Sequence, residues 1–139
     1  MLERVLAAIV ILELPFQFDI YLGYDYELAD LGAVGGLNIS ITTFCLVGLF
    51  GLLLPRLARE RMSPFLSVLP LLLLPGLYFL AIAASFIVAP SLTLAFNELW
   101  MVGQAFLMLL YFIVSTRTRE DLLFLISMVL VGLLLQSVV

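Results

Sequence analysis

The chain has 139 residues, 65% of them hydrophobic and 12% charged, with a net charge of −4 and a mean hydropathy of +1.27. Soluble domains average roughly 45–50% apolar and roughly 25% charged residues. A composition this poor in polar side chains cannot cover a water-facing surface, which excludes a soluble domain, a disordered chain and a nucleic-acid binder and leaves an all-α, polytopic membrane protein.

Five apolar segments follow in chain order, at 5–22, 37–54, 65–89, 99–114 and 122–139. They predict a single transmembrane helical bundle, because a helix crosses a hydrocarbon core of about 30 Å with roughly 17–25 residues. The first segment is the weakest. It opens as VLAAIVILEL, then meets Pro15 and carries Glu13, Gln17 and Asp19, so it is expected to be short or kinked near Pro15. A cleaved signal peptide is the alternative for this stretch. Glu13 within the apolar run and the lack of an Ala-x-Ala site argue against it. Pro70 and Pro75 fall inside the third segment, where a fixed kink is expected, with the Tyr78 hydroxyl bonded to a freed carbonyl.

The scarce charges orient the bundle. With the N-terminus inside, the inner stretches are 1–4, 55–64 and 115–121, and they contain all six arginines: Arg4, Arg56, Arg59, Arg61, Arg117 and Arg119. The outer stretches, 23–36 and 90–98, carry Asp25, Glu27, Asp30 and Glu98. That is the positive-inside pattern without exception. It predicts a cytoplasmic N-terminus and a periplasmic C-terminus. Tyr21, Tyr24, Tyr26, Phe96 and Trp100 suit the outer interface and Tyr111 the inner one.

Helices in lipid associate through small residues and buried polar contacts. Ala81, Ser85 and Ala89, at four-residue spacing, form a candidate packing face. Gly48 and Gly51 offer another close approach, and Gly32 and Gly36 supply backbone freedom in a turn. Glu13, Gln17, Asp19 and Gln104 are the candidate intramembrane polar sites, since charges in a bilayer are costly. Glu13, Gln17 and Asp19 fit a proton or cation path, or else Glu13 is protonated or hydrogen-bonded within the bundle and fixes helix register; no arginine lies at the depth of Glu13. Arg56, Arg59 and Arg61 form a cytoplasmic cluster suited to setting topology or to contacting anionic lipid. Asn38 is expected to cap the second long helix and Glu120 or Asp121 the last. Cys45 is expected to pack as a small hydrophobe.

The sequence contains no His and one Cys. His-based catalysis, His-ligated zinc and His-ligated haem or chlorophyll are therefore excluded, as is an internal disulfide. No cofactor, metal or catalytic residue is predicted, and bound lipids are expected in the grooves.

Two stretches carry a resemblance. One is LGAVGGLNISITT at 31–43, preceded by PFQFD at 15–19. The other is LYF at 110–112, followed by TRTREDL at 116–122 and GLLLQ at 132–136. Together they resemble the N-terminal portion of the O-antigen ligase and polymerase family of bacterial inner-membrane proteins. The resemblance implies handling of undecaprenyl-diphosphate-linked glycans at the periplasmic face. The family's Arg- and His-bearing periplasmic loop has no counterpart in this chain, so no catalytic residue carries over. Three readings follow: a non-catalytic subunit that packs against other transmembrane subunits of a larger complex, the N-terminal part of a glycan ligase or polymerase, and a small transporter or proton-conducting component using Glu13 and Asp19.

Overall fold

The computed structural model describes residues 1–14, 19–24, 26, 36–60 and 63–138. The order of elements is α1 (Leu2–Glu13), β1 (Asp19–Leu22), β2 (Leu37–Ser40), α2 (Ile41–Arg59), α3 (Ser63–Ser85), a 3-10 turn (Phe86–Val88), α4 (Leu92–Ser115) and α5 (Arg119–Val138). Four of these helices, α2 to α5, are long and apolar enough to cross a membrane. The chain is a multi-pass helical membrane protein.

The first apolar segment is short, as its sequence implies. At 12 residues, α1 is about 18 Å long, well below a hydrocarbon core of about 30 Å. The chain then re-forms as strand β1, antiparallel to β2, with Asp19 opposite Ser40 and Tyr21 opposite Asn38. Residues 37–40, expected within the second helix, are therefore strand, and α2 begins at Ile41. The pairing supplies backbone hydrogen bonds to chain that is not helical, which a membrane interior demands. Gly36 closes onto this hairpin. A Cβ there would stand 2.9 Å from the Leu22 carbonyl oxygen and 3.3 Å from the Tyr24 backbone, so glycine is needed for the approach.

The core lies where α1, α2 and α4 meet. Cys45, Leu49, Leu53 and Leu57 form one four-residue row down α2, facing Ala7 and Val10 of α1 and Tyr111 and Val114 of α4. That spacing places the row on one helix face. Cys45 is buried among these residues, as expected of a small hydrophobe. Gly48 lets α1 come close, since a Cβ there would meet Leu6 at 3.3 Å.

The remaining helices flank this centre. α3 packs mainly on α4 and α5 mainly on α1. The α3–α4 contact is made by the stacked rings of Phe79 and Phe106, 5.0 Å apart, rather than by the predicted small-residue face. Ala81 and Ser85 are exposed, and Ala89 lies past the helix end. The row breaks because Pro90 disfavours a helical conformation at the residue before it; Ala89 is extended, at φ −68° and ψ 133°. α3 runs unbroken as helix through Pro70 and Pro75, and Tyr78, expected to be hydrogen-bonded, is 66% exposed.

Candidate functional site: a polar cavity at mid-helix depth

The hairpin brings scattered polar residues to one place. Glu13 is the last residue of α1 and is 7% exposed. Its Oε1 accepts from the Ile41 backbone N–H at 3.0 Å, and its Oε2 accepts from the Thr42 hydroxyl. Glu13 thus caps the start of α2 from another helix. The positive end of the α2 dipole meets the carboxyl there, and one orphan backbone N–H and one hydroxyl are satisfied.

Ser40 completes the cap. Its hydroxyl accepts from the Thr43 N–H, and the Thr43 hydroxyl accepts from the Ser40 N–H, forming a reciprocal capping box. Asn38, expected as the cap, lies two residues earlier in β2. A cap must directly precede the first helical residue, and here that residue is Ser40. The Asn38 carbonyl instead accepts from Trp100 Nε1 at 2.6 Å and Gln104 Nε2 at 3.1 Å, which ties β2 to α4. The Asn38 side-chain Oδ1 is buried and has no hydrogen-bond partner among the described residues.

These groups line an open-sided, largely apolar cavity of about 240 Å³, to which Glu13, Tyr21, Asn38, Ser40, Thr42 and Gln104 contribute the polar residues. Leu14, Met101, Ala105 and Met108 supply the apolar lining. Gln104 stands half-way along α4, so the cavity lies near the middle of a membrane-crossing helix. An apolar groove of about 380 Å³ runs between α2, α3 and α4, past Phe50, Phe79, Phe96 and Trp100, and shares Gln104 with the first cavity.

Of the four polar residues predicted within the membrane, Glu13 and Gln104 meet at this cavity. Asp19 begins β1 opposite Ser40, which brings its backbone to the start of α2 rather than further along a first helix. Gln17 lies outside the described residues. Sequence reasoning missed the Ile41 N–H at the start of α2 and the Thr42 hydroxyl as the partners of Glu13, and Ser40 as the cap. The one available signal was Ser-x-x-Thr at 40–43, a capping-box spacing.

The arginine-rich end is a second polar assembly. Arg117 contacts Glu60 at 2.6 Å, and Arg56 contacts Glu60 at 3.3 Å and Glu3 at 4.0 Å. Arg4 contacts Asp121 at 3.3 Å. The hydrogen bond from Arg117, and secondarily that from Arg56, holds the Glu60 carboxyl below its ordinary value. Tyr111, expected at the interface, is instead buried in the core, where its hydroxyl donates to Glu3 at 2.9 Å. Asp121, one of the two acids expected there, caps α5 in reciprocal bonds with Thr118. Arg56 is thus committed to helix-end pairing, Arg59 is exposed, and Arg61 lies outside the described residues.

No metal-binding group of three or more His, Cys, Asp or Glu occurs among the described residues. Comparison with protein-family models, with curated proteins and with solved structures finds no match.

Proposed function

We propose that the chain is a non-catalytic subunit that packs against a larger membrane complex of a bacterial inner membrane, with its N-terminus cytoplasmic and its C-terminus periplasmic. The observation that carries this reading is the one-sided packing of the outer helices. α3 meets the rest of the fold mainly through α4, and α5 mainly through α1. Leu66, Leu71, Leu74 and Leu80 on α3 stay more than half exposed, as do Leu123, Leu130, Leu133 and Leu134 on α5. Lipid is as apolar as leucine, so helices gain from each other by close packing. Outer helices with one main neighbour leave room for another subunit.

The polar residues support the same reading. Glu13 caps α2, Gln104 anchors β2, and Arg56, Arg117 and Glu60 tie helix ends together; these are structural duties. Arg4, Arg56 and Arg117 meet at one end of the bundle, which supports placing that end in the cytoplasm. The likeness of 31–43 and 110–136 to the O-antigen ligase and polymerase family supports a bacterial inner membrane.

The test is site-specific photo-crosslinking of the tagged full chain in native membranes, from Leu74 and Leu134, followed by digitonin extraction. A crosslink to one membrane protein that also co-purifies in fixed ratio is expected from at least one of the two positions. Recovery of a monomer with lipid adducts alone at both positions would refute the proposal.

A further inference from the structure

We propose that Glu98 is the docking point for a transmembrane helix of a different chain, one that carries an arginine or lysine in its outer half and packs along the open face of α4. The inference rests on the reading of this chain as a subunit of a larger membrane complex, and it names the chemistry of the partner.

Glu98 is an unpaired acid within a membrane-crossing helix. It is the seventh residue of α4, beyond the first turn in which a helix N-terminus favours an acid. Ser115 ends α4 beside the arginine assembly. From there Glu98 lies about 26 Å along the helix axis, inside a hydrocarbon core of about 30 Å. Its side chain is exposed, and among the described residues it makes no hydrogen bond or ion pair. The acids Glu3, Glu60 and Asp121 each contact an arginine, and Glu13 caps α2. An acid at membrane depth pairs with a base or belongs to a polar path.

The face that carries Glu98 is the open side of α4. Phe106 stacks on Phe79 of α3, Tyr111 and Val114 pack into the core with α2, and Trp100 and Gln104 bond β2. Met101, Ala105 and Leu109 follow Glu98 at spacings of three and four residues, which puts all four on one face. Met101 is 46% and Leu109 38% exposed; Glu98 and Ala105 are exposed as well. This row has no second polar side chain, so it continues no polar path. Ala105 admits close approach between the larger Met101 and Leu109, as helix pairs in lipid require.

Charge decides the occupant. A second copy inserted the same way brings no cation to this depth. The six basic residues are arginines at 4, 56, 59, 61, 117 and 119, all in stretches that the positive-inside pattern assigns to the opposite side. Lipid headgroups lie above Glu98, so a base at its own depth comes from a membrane-crossing helix of another protein.

The experiment places p-benzoylphenylalanine at Met101, one turn from Glu98, in the tagged full chain in its native membrane, and maps the adduct by mass spectrometry. The expected adduct lies on a transmembrane helix of another chain, with an arginine or lysine within about one turn of the linked residue. The same probe at Leu109 is expected to reach the same helix. Glu98→Gln is expected to reduce both adducts about tenfold, and Glu98→Arg combined with that base changed to Glu is expected to restore them. Glu98→Gln is also expected to leave the unfolding midpoint of the purified chain unchanged; a lowered midpoint overturns docking in favour of an internal role. Adducts with lipid alone, with a second copy or with a helix lacking a base overturn the proposal, as do adducts insensitive to Glu98→Gln. Lipid adducts at Met101 and Leu109 beside protein adducts at Leu74 or Leu134 remove the Glu98 site and leave the chain a subunit.

Discussion

Replacing Glu13 tests the central joint of the fold. Glu13→Ala deletes the acceptor for both the Ile41 N–H and the Thr42 hydroxyl. The hydroxyl can rotate to another acceptor. The Ile41 N–H is fixed by the first turn of α2 and cannot move without unwinding it. A hydrogen bond to a charged group contributes about 1.5–3 kcal/mol, and a stranded buried donor costs about 1–3 kcal/mol. Bonds measured between membrane helices are weaker, about 0.6 kcal/mol on average and about 1.7 kcal/mol at most. Lost cap, lost dipole contact and stranded N–H together place Glu13→Ala at about 3 kcal/mol. Glu13→Gln keeps the shape and one acceptor oxygen, so it is expected to cost about 1 kcal/mol. Reversible unfolding in mixed dodecylmaltoside and dodecylsulfate micelles, followed by circular dichroism, measures both. Hydrogen exchange at Ile41 should accelerate in the Ala variant. A cycle with Thr42→Ala should give a coupling of about 1 kcal/mol. Equal costs for Ala and Gln, with unchanged exchange at Ile41, would refute the cap.

Three further outcomes follow from the geometry. Glu60 has its carboxyl pKa lowered by Arg117 and Arg56. Its contribution is present above the ordinary value of 4.5 and is lost as pH falls through the lowered folded value. The stability gap between wild type and Glu60→Gln, read from unfolding midpoints, should be open at neutral pH and close upon acidification below that range. Tyr111→Phe removes the hydrogen bond to Glu3, whose carboxyl keeps its Arg56 contact, and should lower stability by about 1 kcal/mol, less than additively with Glu3→Ala because the two share one bond. Gly36→Ala drives a Cβ to 2.9 Å from the Leu22 carbonyl oxygen. It should destabilise the hairpin by about 1–3 kcal/mol and raise exchange in residues 37–40, with the exchange of α4 unaffected.

The sequence by itself determined the class of the molecule. Its 65% hydrophobic content leaves no polar surface for water, and α2 to α5 follow from apolar runs long enough to cross a bilayer. Because helix backbone bonds are local, α3 and α5 appear within about four residues of where hydropathy places them, whereas α4 starts at Leu92 and takes in most of the stretch 90–98 expected as an outer loop. Asp121 was legible at the start of α5 for the same reason, although its reciprocal partner Thr118 was not named.

What the sequence left open depends on contacts far apart in the chain. Glu13 was legible as a costly intramembrane acid, but its partners lie 28 and 29 positions away and are a backbone N–H and a threonine. Neither is distinguished by residue type. The strand at 37–40 reads as apolar helix start by hydropathy; only pairing with 19–22 and the anchoring by Trp100 and Gln104 make it extended. The row Ala81, Ser85 and Ala89 met the small-residue rule, yet Phe79 and Phe106 make the contact, because the rule says which faces permit close approach and not which one a neighbour takes. Arg56 read as one of a cytoplasmic cluster and Tyr111 as an interface residue, and both became part of a helix-end network through Glu3 and Glu60. Composition decided that this chain lives in a membrane. Tertiary structure decided that α1 stops short, that its terminal carboxyl starts the next long helix, and that a cavity forms where the two meet.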